Sequence, residues 1–319
     1  MHNPLRIVFM GTPDFAAHSL QTLVKKNYKV SGVVTAPDKP AGRGLSVQIP
    51  AVKTIALRYQ LPLLQPEKLR DEQFLEQLKS WEADIFVVVA FRMLPEVVWR
   101  MPSRGTFNLH ASLLPQYRGA APINWAIING ETTTGLTTFF LDDKIDTGQI
   151  ILSETMSVGL EENAGGLHDR MMKAGALLVC QTLDAIASGK LQTFPQVQSD
   201  SLKPAPKIHK ETCRINWNDK AQAIYNLVRG LSPYPTAFSE LKTSKGDSLS
   251  AKIYAVSYLL TTHELPVGTI VSDNKSFLHV ACSDGFVAIE ELQLAGKKRV
   301  PVRDFLLGFR EIIHCNFFD

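Results

Sequence analysis

The stretch DIFVVVA, residues 84–90, sets one acidic residue before six apolar ones, half of them valine. β-branched side chains suit a pleated strand. An unbroken apolar run of this length reads as a strand buried on both faces, the central position of a parallel sheet. Such a strand needs neighbours, and the chain supplies them on either side. Upstream, Leu5–Met10 (LRIVFM) reads as a first strand. Thr12 is placed to cap a helix with Pro13 at its first position and Asp14 in its first turn, running through FAAHSLQTLVKK. Val30–Ala36 (VSGVVTA) is a second strand, and after a loop rich in Gly and Pro a helix is expected near Ala51–Tyr59. LPLLQ gives a short third strand and DEQFLEQLKSW a third helix; downstream, Thr106–His110 is another strand. The rhythm βαβαβαβ predicts an α/β fold with a doubly wound, mainly parallel sheet.

The second half reads differently. A long helical pattern runs from Asn163 to about Ser188. Residues 190–212 lose periodicity and gain prolines, as a linker or crossing segment does. One helix, Lys220–Gly230, then precedes five short strands: TAFSEL, SAKIYAVSYL, GTIVSD, SFLHVAC and GFVAIEELQL. Short strands separated by turn residues predict a small C-terminal β-barrel of the oligonucleotide-binding kind. The expected division is a first domain over 1–189, a linker over 190–206 and a barrel domain over 207–319.

Composition narrows the class. The 319 residues are 45% hydrophobic and 20% charged, the balance of a soluble globular protein. No run approaches the roughly 20 apolar residues that span a bilayer. The apolar stretch before Gly11 is too short for a secretory leader, so a cytoplasmic protein is expected. Four cysteines, Cys180, Cys213, Cys282 and Cys315, are widely spaced without a CxxC pair; they read as unpaired thiols rather than metal or redox groups. The formal net charge of +3 is unevenly spread, +4 over residues 1–50, −4 over 51–200 and +3 over 201–319. A polyanion touching both basic ends fits that distribution.

A doubly wound sheet binds ligands at the C-terminal ends of its strands. The first turn there is GTPDF; it lacks the glycines that let a backbone wrap a pyrophosphate, which argues against a dinucleotide. Asn108 and His110, two apart, share one face of a strand at its C-terminal end. An amide and an imidazole side by side can both donate to the oxygen of a substrate carbonyl. Downstream, FFLDDKIDTGQI is a strand, an acidic turn and a second strand, with Asp142, Asp143 and Asp146 in the turn. A carboxylate beside His110 would hold an imidazolium, and spacing does not choose among the three. Amide, imidazole and carboxylate without a GxSxG serine suggest acyl or formyl transfer without a covalent nucleophile.

Several blocks, in order, carry a resemblance. NLHASLLPQYRGAAPINWAIINGETTTG followed by DDKIDTG resembles the signature of the folate-dependent formyltransferases. FMGTPDFAAHSL and TAPDKPAGRG narrow it to the branch acting on methionyl-tRNA, and the resemblance covers nearly the whole chain, including LQLAGKKRV. The resemblance implies a Rossmann-like catalytic domain followed by an oligonucleotide-binding-like barrel. It implies Asn108, His110 and Asp146 as the catalytic trio, and Ser112, Leu113, Leu114 and Pro115 as a folate-contacting loop. Phe91, Arg92 and Leu94 would line the pterin pocket, with Arg92 standing where many members have glycine. The co-substrate implied is 10-formyltetrahydrofolate, with no metal, and the acceptor is the α-amino group of methionine on initiator tRNA.

The long loop at residues 37–50, PDKPAGRGLSVQIP, resembles the insertion that enters the tRNA acceptor stem, with Arg43 and Lys39 as contacts. Lys297, Lys298 and Arg299 would meet phosphate from a basic turn on the barrel, with Lys207 and Lys210 along the linker. Phosphate contacts of this kind make binding fall steeply with salt. A monomer that needs no membrane is expected. The alternatives are formylation of a sugar-nucleotide amine, acceptor-free hydrolysis of the formyl donor, and an RNA-binding protein without catalysis.

Overall fold

In a computed structural model that describes residues 5–41, 46–197, 199, 201–243, 246–309 and 312–318, the valine-rich run is the fourth strand of a seven-stranded sheet. The strands are β1 (Ile7–Gly11), β2 (Val30–Val34), β3 (Leu63–Leu64), β4 (Ile85–Val89), β5 (Thr106–His110), β6 (Thr133–Phe140) and β7 (Ile150–Ser157). Their spatial order is β3-β2-β1-β4-β5-β6-β7. The first five are mutually parallel, and β6 runs antiparallel to β5. The strand order therefore reverses between β1 and β4, which is where such sheets open a crevice.

Burial follows the pattern of a sheet covered on both faces. All five residues of β1 and of β4 are buried. Val8, Met10, Phe86 and Val88 pack with Phe74 and Leu78, which lie on the helix Glu72–Ser80. Asp71 starts that helix by accepting the Phe74 N–H at 3.0 Å, a cap worth about 1 kcal/mol. The long helix Ala164–Ala187 meets the sheet at Gly175, where an added Cβ would lie 2.7 Å from Leu109 Cδ2. That close approach sets the depth of β5, the strand carrying Asn108 and His110.

Two local expectations are corrected. Thr12 does not cap the first helix. The helix starts at Asp14, Pro13 holds the cap position, and the Pro13 carbonyl takes the N–H groups of Ala16 and Ala17; the Thr12 carbonyl instead accepts from Val52. The segment 37–50 is not a bare loop. Lys39–Ala41 and Ser46–Gln48 pair antiparallel as a two-stranded ribbon. The segment expected as a linker or crossing segment meets the sheet at Phe194. Phe194 and Ile150 exchange two backbone hydrogen bonds, 2.8 and 2.9 Å.

The chain divides into two compact units. The first draws on Met1–Pro122, Thr134–Met156 and His168–Pro204 and contains most of the sheet described above. The second draws on Ile123–Thr133, Ser157–Leu167 and Ala205–Asp319. Its strands are β8 (Ala237–Lys242), β9 (Ser248–Leu260), β10 (Ile270–Ser272), β11 (Leu278–Cys282), β12 (Gly285–Leu294) and β13 (Asn316–Phe318), in the order β10-β11-β12-β9-β8-β13. A bridge between Thr269 and Asn316 brings the two ends of that order together, so the antiparallel sheet is nearly closed. Trp217 fills the interior at 1% exposure, its ring N–H on Ser239 Oγ at 2.9 Å, and Ser239 Oγ in turn donates to the Phe318 carbonyl. All four cysteines are buried. Among the described residues no helix is long and apolar enough to cross a membrane, and no cluster of three or more His, Cys, Asp or Glu could hold a metal ion.

Candidate active site

The strand β5 ends in Asn108, Leu109 and His110 because its alternation buries Phe107 and Leu109 on one side and turns the polar pair to the other. His110 is 6% exposed, so both ring nitrogens need an account. Nε2 donates to the Tyr117 carbonyl at 2.8 Å. A carbonyl only accepts, so Nε2 carries the proton in the neutral ring. Nδ1 is the remaining nitrogen, and it lies 3.8 Å from Asp146 Oδ2. That separation is a charge pair for an imidazolium, too long for a hydrogen bond.

The structure thus selects one carboxylate of the three. Asp142 is spent on its own turn, where Oδ1 accepts from the Lys144 N–H and the Thr147 hydroxyl. Asp143 is exposed. Asp146 Oδ2 accepts the Gly119 N–H at 3.0 Å and faces the imidazole. The Asp146 backbone sits at φ 55°, in the left-handed region. Asp tolerates this better than most residues, and strain of this sort gathers at functional sites. Tyr117, at φ 59°, is a rarer occupant of the same region; its conformation accompanies the turn that aims its carbonyl at His110.

Asn108 is partly exposed, and its side-chain amide has no hydrogen-bond partner among the described residues. It lies on the same face of β5 as His110. Ser112 differs. It is fully buried, with its hydroxyl on the Gln116 carbonyl at 2.6 Å and its own carbonyl taking the Thr137 hydroxyl at 2.7 Å. The same Thr137 hydroxyl accepts from the Leu114 N–H. Ser112 and Leu114 therefore shape the loop after β5. The Leu113 side chain packs against Gly135, and the Leu114–Pro115 peptide is cis.

A second feature lies at the crevice between β1 and β4. Thr12, Ala36, Pro37, Asp38, Lys39, Glu67, Phe91 and Arg92 surround an open cleft of about 470 Å³. The Arg92 guanidinium donates to the carbonyls of Pro66 and Glu67 and lies over the Phe91 ring at 5.5 Å. Leu94 is buried in the apolar core with Val98 and Phe86, so only its backbone can face a ligand. Lys53 and Gln65 both hydrogen-bond Asp38 and hold its carboxyl below the usual carboxylate range. The structure thus brings Phe91, Arg92 and Lys39 around one cleft, while Asn108, His110 and Asp146 form a separate cluster at the end of the next strand, β5.

Of the other basic residues, Lys207, Lys210, Lys297, Lys298 and Arg299 are exposed. Arg299 is already engaged, paired with Glu291 and stacked over Tyr254 at 4.2 Å. Lys210 lies 5.8 Å from the Phe238 ring. Arg43 lies outside the described residues.

The sequence reading missed Gln196 and Arg118. Arg118 donates through Nε and Nη2 to Gln196 Oε1, and Gln196 Nε2 donates to the carbonyls of Asp146 and Gly148. A glutamine in an aperiodic segment gives no local hint of such contacts.

Comparison with known proteins places the chain. A formyl transferase profile matches residues 5–183, and a formyl transferase C-terminal domain profile matches residues 207–310. The methionyl-tRNA formyltransferase of Bacteroides fragilis is 56% identical over 308 residues, 96% of this chain and 95% of that protein. The enzyme of that name from Flavobacterium johnsoniae is 53% identical over 304 residues, covering 95% and 96%. Among solved structures, the sugar 3N-formyl transferase WlaRD aligns with a TM-score of 0.63 at 20% identity, over 93% of this chain and 100% of that one. HypX from Aquifex aeolicus, in complex with tetrahydrofolic acid, aligns with a TM-score of 0.62 at 17% identity, over 95% of this chain and 47% of that one. At such identities the two structures speak for the fold alone.

Proposed function

The chain belongs to the methionyl-tRNA formyltransferase family, and we propose that it formylates the α-amino group of methionine on initiator tRNA, with 10-formyltetrahydrofolate as donor, through the Asn108–His110–Asp146 cluster. The observation that carries this reading is the placement of Asn108 and His110 on one face at the end of β5, with Asp146 Oδ2 3.8 Å from the His110 Nδ1 that Tyr117 leaves over, a nitrogen that donates once the ring is protonated.

The residues fit a carbonyl-bearing substrate. When the amine attacks the formyl carbon, a C–N bond forms and the carbonyl oxygen takes up negative charge. Asn108 donates an N–H to that oxygen, and protonated His110 donates from Nδ1. Asp146 supplies the counter-charge for the imidazolium and accepts the proton lost by the amine, directly or through a water. That proton passes to the folate nitrogen as its bond to carbon breaks, so tetrahydrofolate leaves neutral at that position. Phe91, Arg92 and the backbone at Leu94 are read as lining the folate side. Ser112, Leu113, Leu114 and Pro115 are read as the folate-contacting loop, with the Ser112 hydroxyl already held by the Gln116 carbonyl.

The nearly closed barrel of the second unit, with Lys207, Lys210, Lys297, Lys298 and Arg299, is read as the tRNA-binding part, together with Lys39 and with Arg43, which lies outside the described residues. The expected setting is the cytoplasm, with the chain acting as a monomer, which gel filtration of the purified protein would test. Transfer to a sugar-nucleotide amine is the weaker reading, because the sugar enzyme of the same fold is only 20% identical.

The test of function is a transfer assay with initiator methionyl-tRNA, a dTDP-amino sugar and no acceptor in parallel. Product on the tRNA alone is expected; product on the sugar alone, or hydrolysis without acceptor, would contradict the proposal.

A further inference from the structure

The geometry points to Gln196 as a positioning residue for the reaction, acting through Asp146. The inference rests on the functional reading above. Its chemistry lies in the two ends of one side chain. Oε1 accepts two N–H groups of Arg118, at 3.0 and 2.6 Å. Nε2 donates to the carbonyls of Asp146 and Gly148, at 2.9 and 2.8 Å. A guanidinium has only donors and a peptide carbonyl only accepts, so the partners themselves dictate which way the amide points. The side chain is 9% exposed, so water cannot readily replace a missing partner. Only a carboxamide satisfies both ends. A carboxylate would set negative charge against two carbonyls, and a thioether would leave all four hydrogen bonds unmade.

These bonds close a ring around the reactive groups. Tyr117, Arg118 and Gly119 are consecutive. The first presents its carbonyl to His110 Nε2, the second binds Gln196, and the third gives its N–H to Asp146 Oδ2. Gln196 therefore clamps the loop that orients the imidazole to the turn that carries the carboxylate. It also secures an Asp146 backbone at φ 55°, a conformation that needs outside support. The same segment holds Tyr117 from behind, since the Lys203 carbonyl accepts the Tyr117 N–H at 2.7 Å. None of the buried side-chain atoms without a partner among the described residues belongs to this ring. Gln196 and the Lys203 carbonyl thus hold the 3.8 Å spacing of imidazole and carboxylate.

The test is a double-mutant cycle on kcat and KM, with Gln196→Met, Gln196→Glu, Asp146→Asn and the combination of Gln196→Met with Asp146→Asn. Displacing a catalytic group by about 1 Å can cost about 100-fold. Each Gln196 variant is expected to lower kcat by about 10–100-fold, with KM for both substrates changed less than about two-fold. In the Asp146→Asn background Gln196→Met is expected to lower kcat by less than about two-fold further, because the group it positions is already disabled. Unchanged kcat in the single variants, or losses that multiply in the double variant, would overturn the proposal. Arg118→Met leaves Gln196 in place and is expected to give the same pattern if Gln196→Met does not fold. Both results are read on whichever amine the wild type formylates, so failure of the tRNA reading leaves this test intact.

Discussion

At the scale of single residues, the proposed mechanism separates groups that would meet substrate from groups that hold them. Removing the Asn108 amide with Asn108→Ala takes away one oxyanion donor and should lower kcat about 100–1,000-fold, with KM nearly unchanged, as steady-state kinetics will show. Gly148→Ala is a sharper test of the acidic turn. A Cβ at Gly148 would lie 1.7 Å from the Phe140 carbonyl oxygen, so the backbone must move. That motion drags the carbonyl bound by Gln196, and kcat should fall at least about 10-fold while the fold is retained, since the turn lies at the end of a strand pair. Much of this was legible in the sequence. Two polar residues at i and i+2 at the end of an apolar strand must share a face, which follows from the strand period alone. The choice of Asp146 among three carboxylates was not legible from spacing, because it depends on which one the turn points toward Gly119 and His110. Gln196 left no trace, since its partners are 48 to 78 residues away in the chain.

At the scale of elements, the decisive feature is the reversal of strand order between β1 and β4, which puts the ends of β1, β2 and β4 around one cleft. The alternation of apolar runs and amphipathic helices predicted this sheet, and the boundaries agree within a residue or two. What the pattern did not predict was local: a cap shifted from Thr12 to Pro13, and a ribbon closing residues 37–50. Helix caps depend on one hydrogen bond, and short ribbons lack enough residues to show a period. Asp38 ties one end of that ribbon to Lys53 and Gln65. Its folded carboxyl titrates below the usual range, so the stabilisation is present above the unfolded value and is lost as pH falls through the folded one. Limited proteolysis of residues 37–50 should therefore stay slow from neutral pH down to about 4 and accelerate below it, with Asp38→Asn cleaved quickly at every pH.

At the scale of the whole molecule, two units share the chain by interleaving, and no composition shift marks Ile123–Thr133 or Ser157–Leu167 as parts of the second unit. Contiguous reading cannot see such exchange, because it is decided by tertiary packing. The barrel was legible from its short strands, but its closure through Thr269 and Asn316 was not. Its stability should centre on Trp217. Trp217→Ala removes the largest fully buried side chain and should cost about 3–5 kcal/mol, read by urea denaturation of the full chain. The basic turn belongs to this scale as well. For each tRNA phosphate that loses its cation, the slope of log affinity against log salt should flatten by roughly 0.7–0.9. Lys297→Ala and Lys298→Ala should show this in tRNA binding more clearly than Arg299→Ala, whose side chain is already paired with Glu291.

The most direct measurement is formyl transfer from 10-formyltetrahydrofolate to methionyl-tRNA, with initiator and elongator species side by side and His110→Ala as control. The account predicts formylmethionyl product on initiator tRNA, reduced by orders of magnitude in the variant. A folded His110→Ala protein that transfers at the wild-type rate would contradict it, as would a folded wild type that binds folate and forms no product on either tRNA.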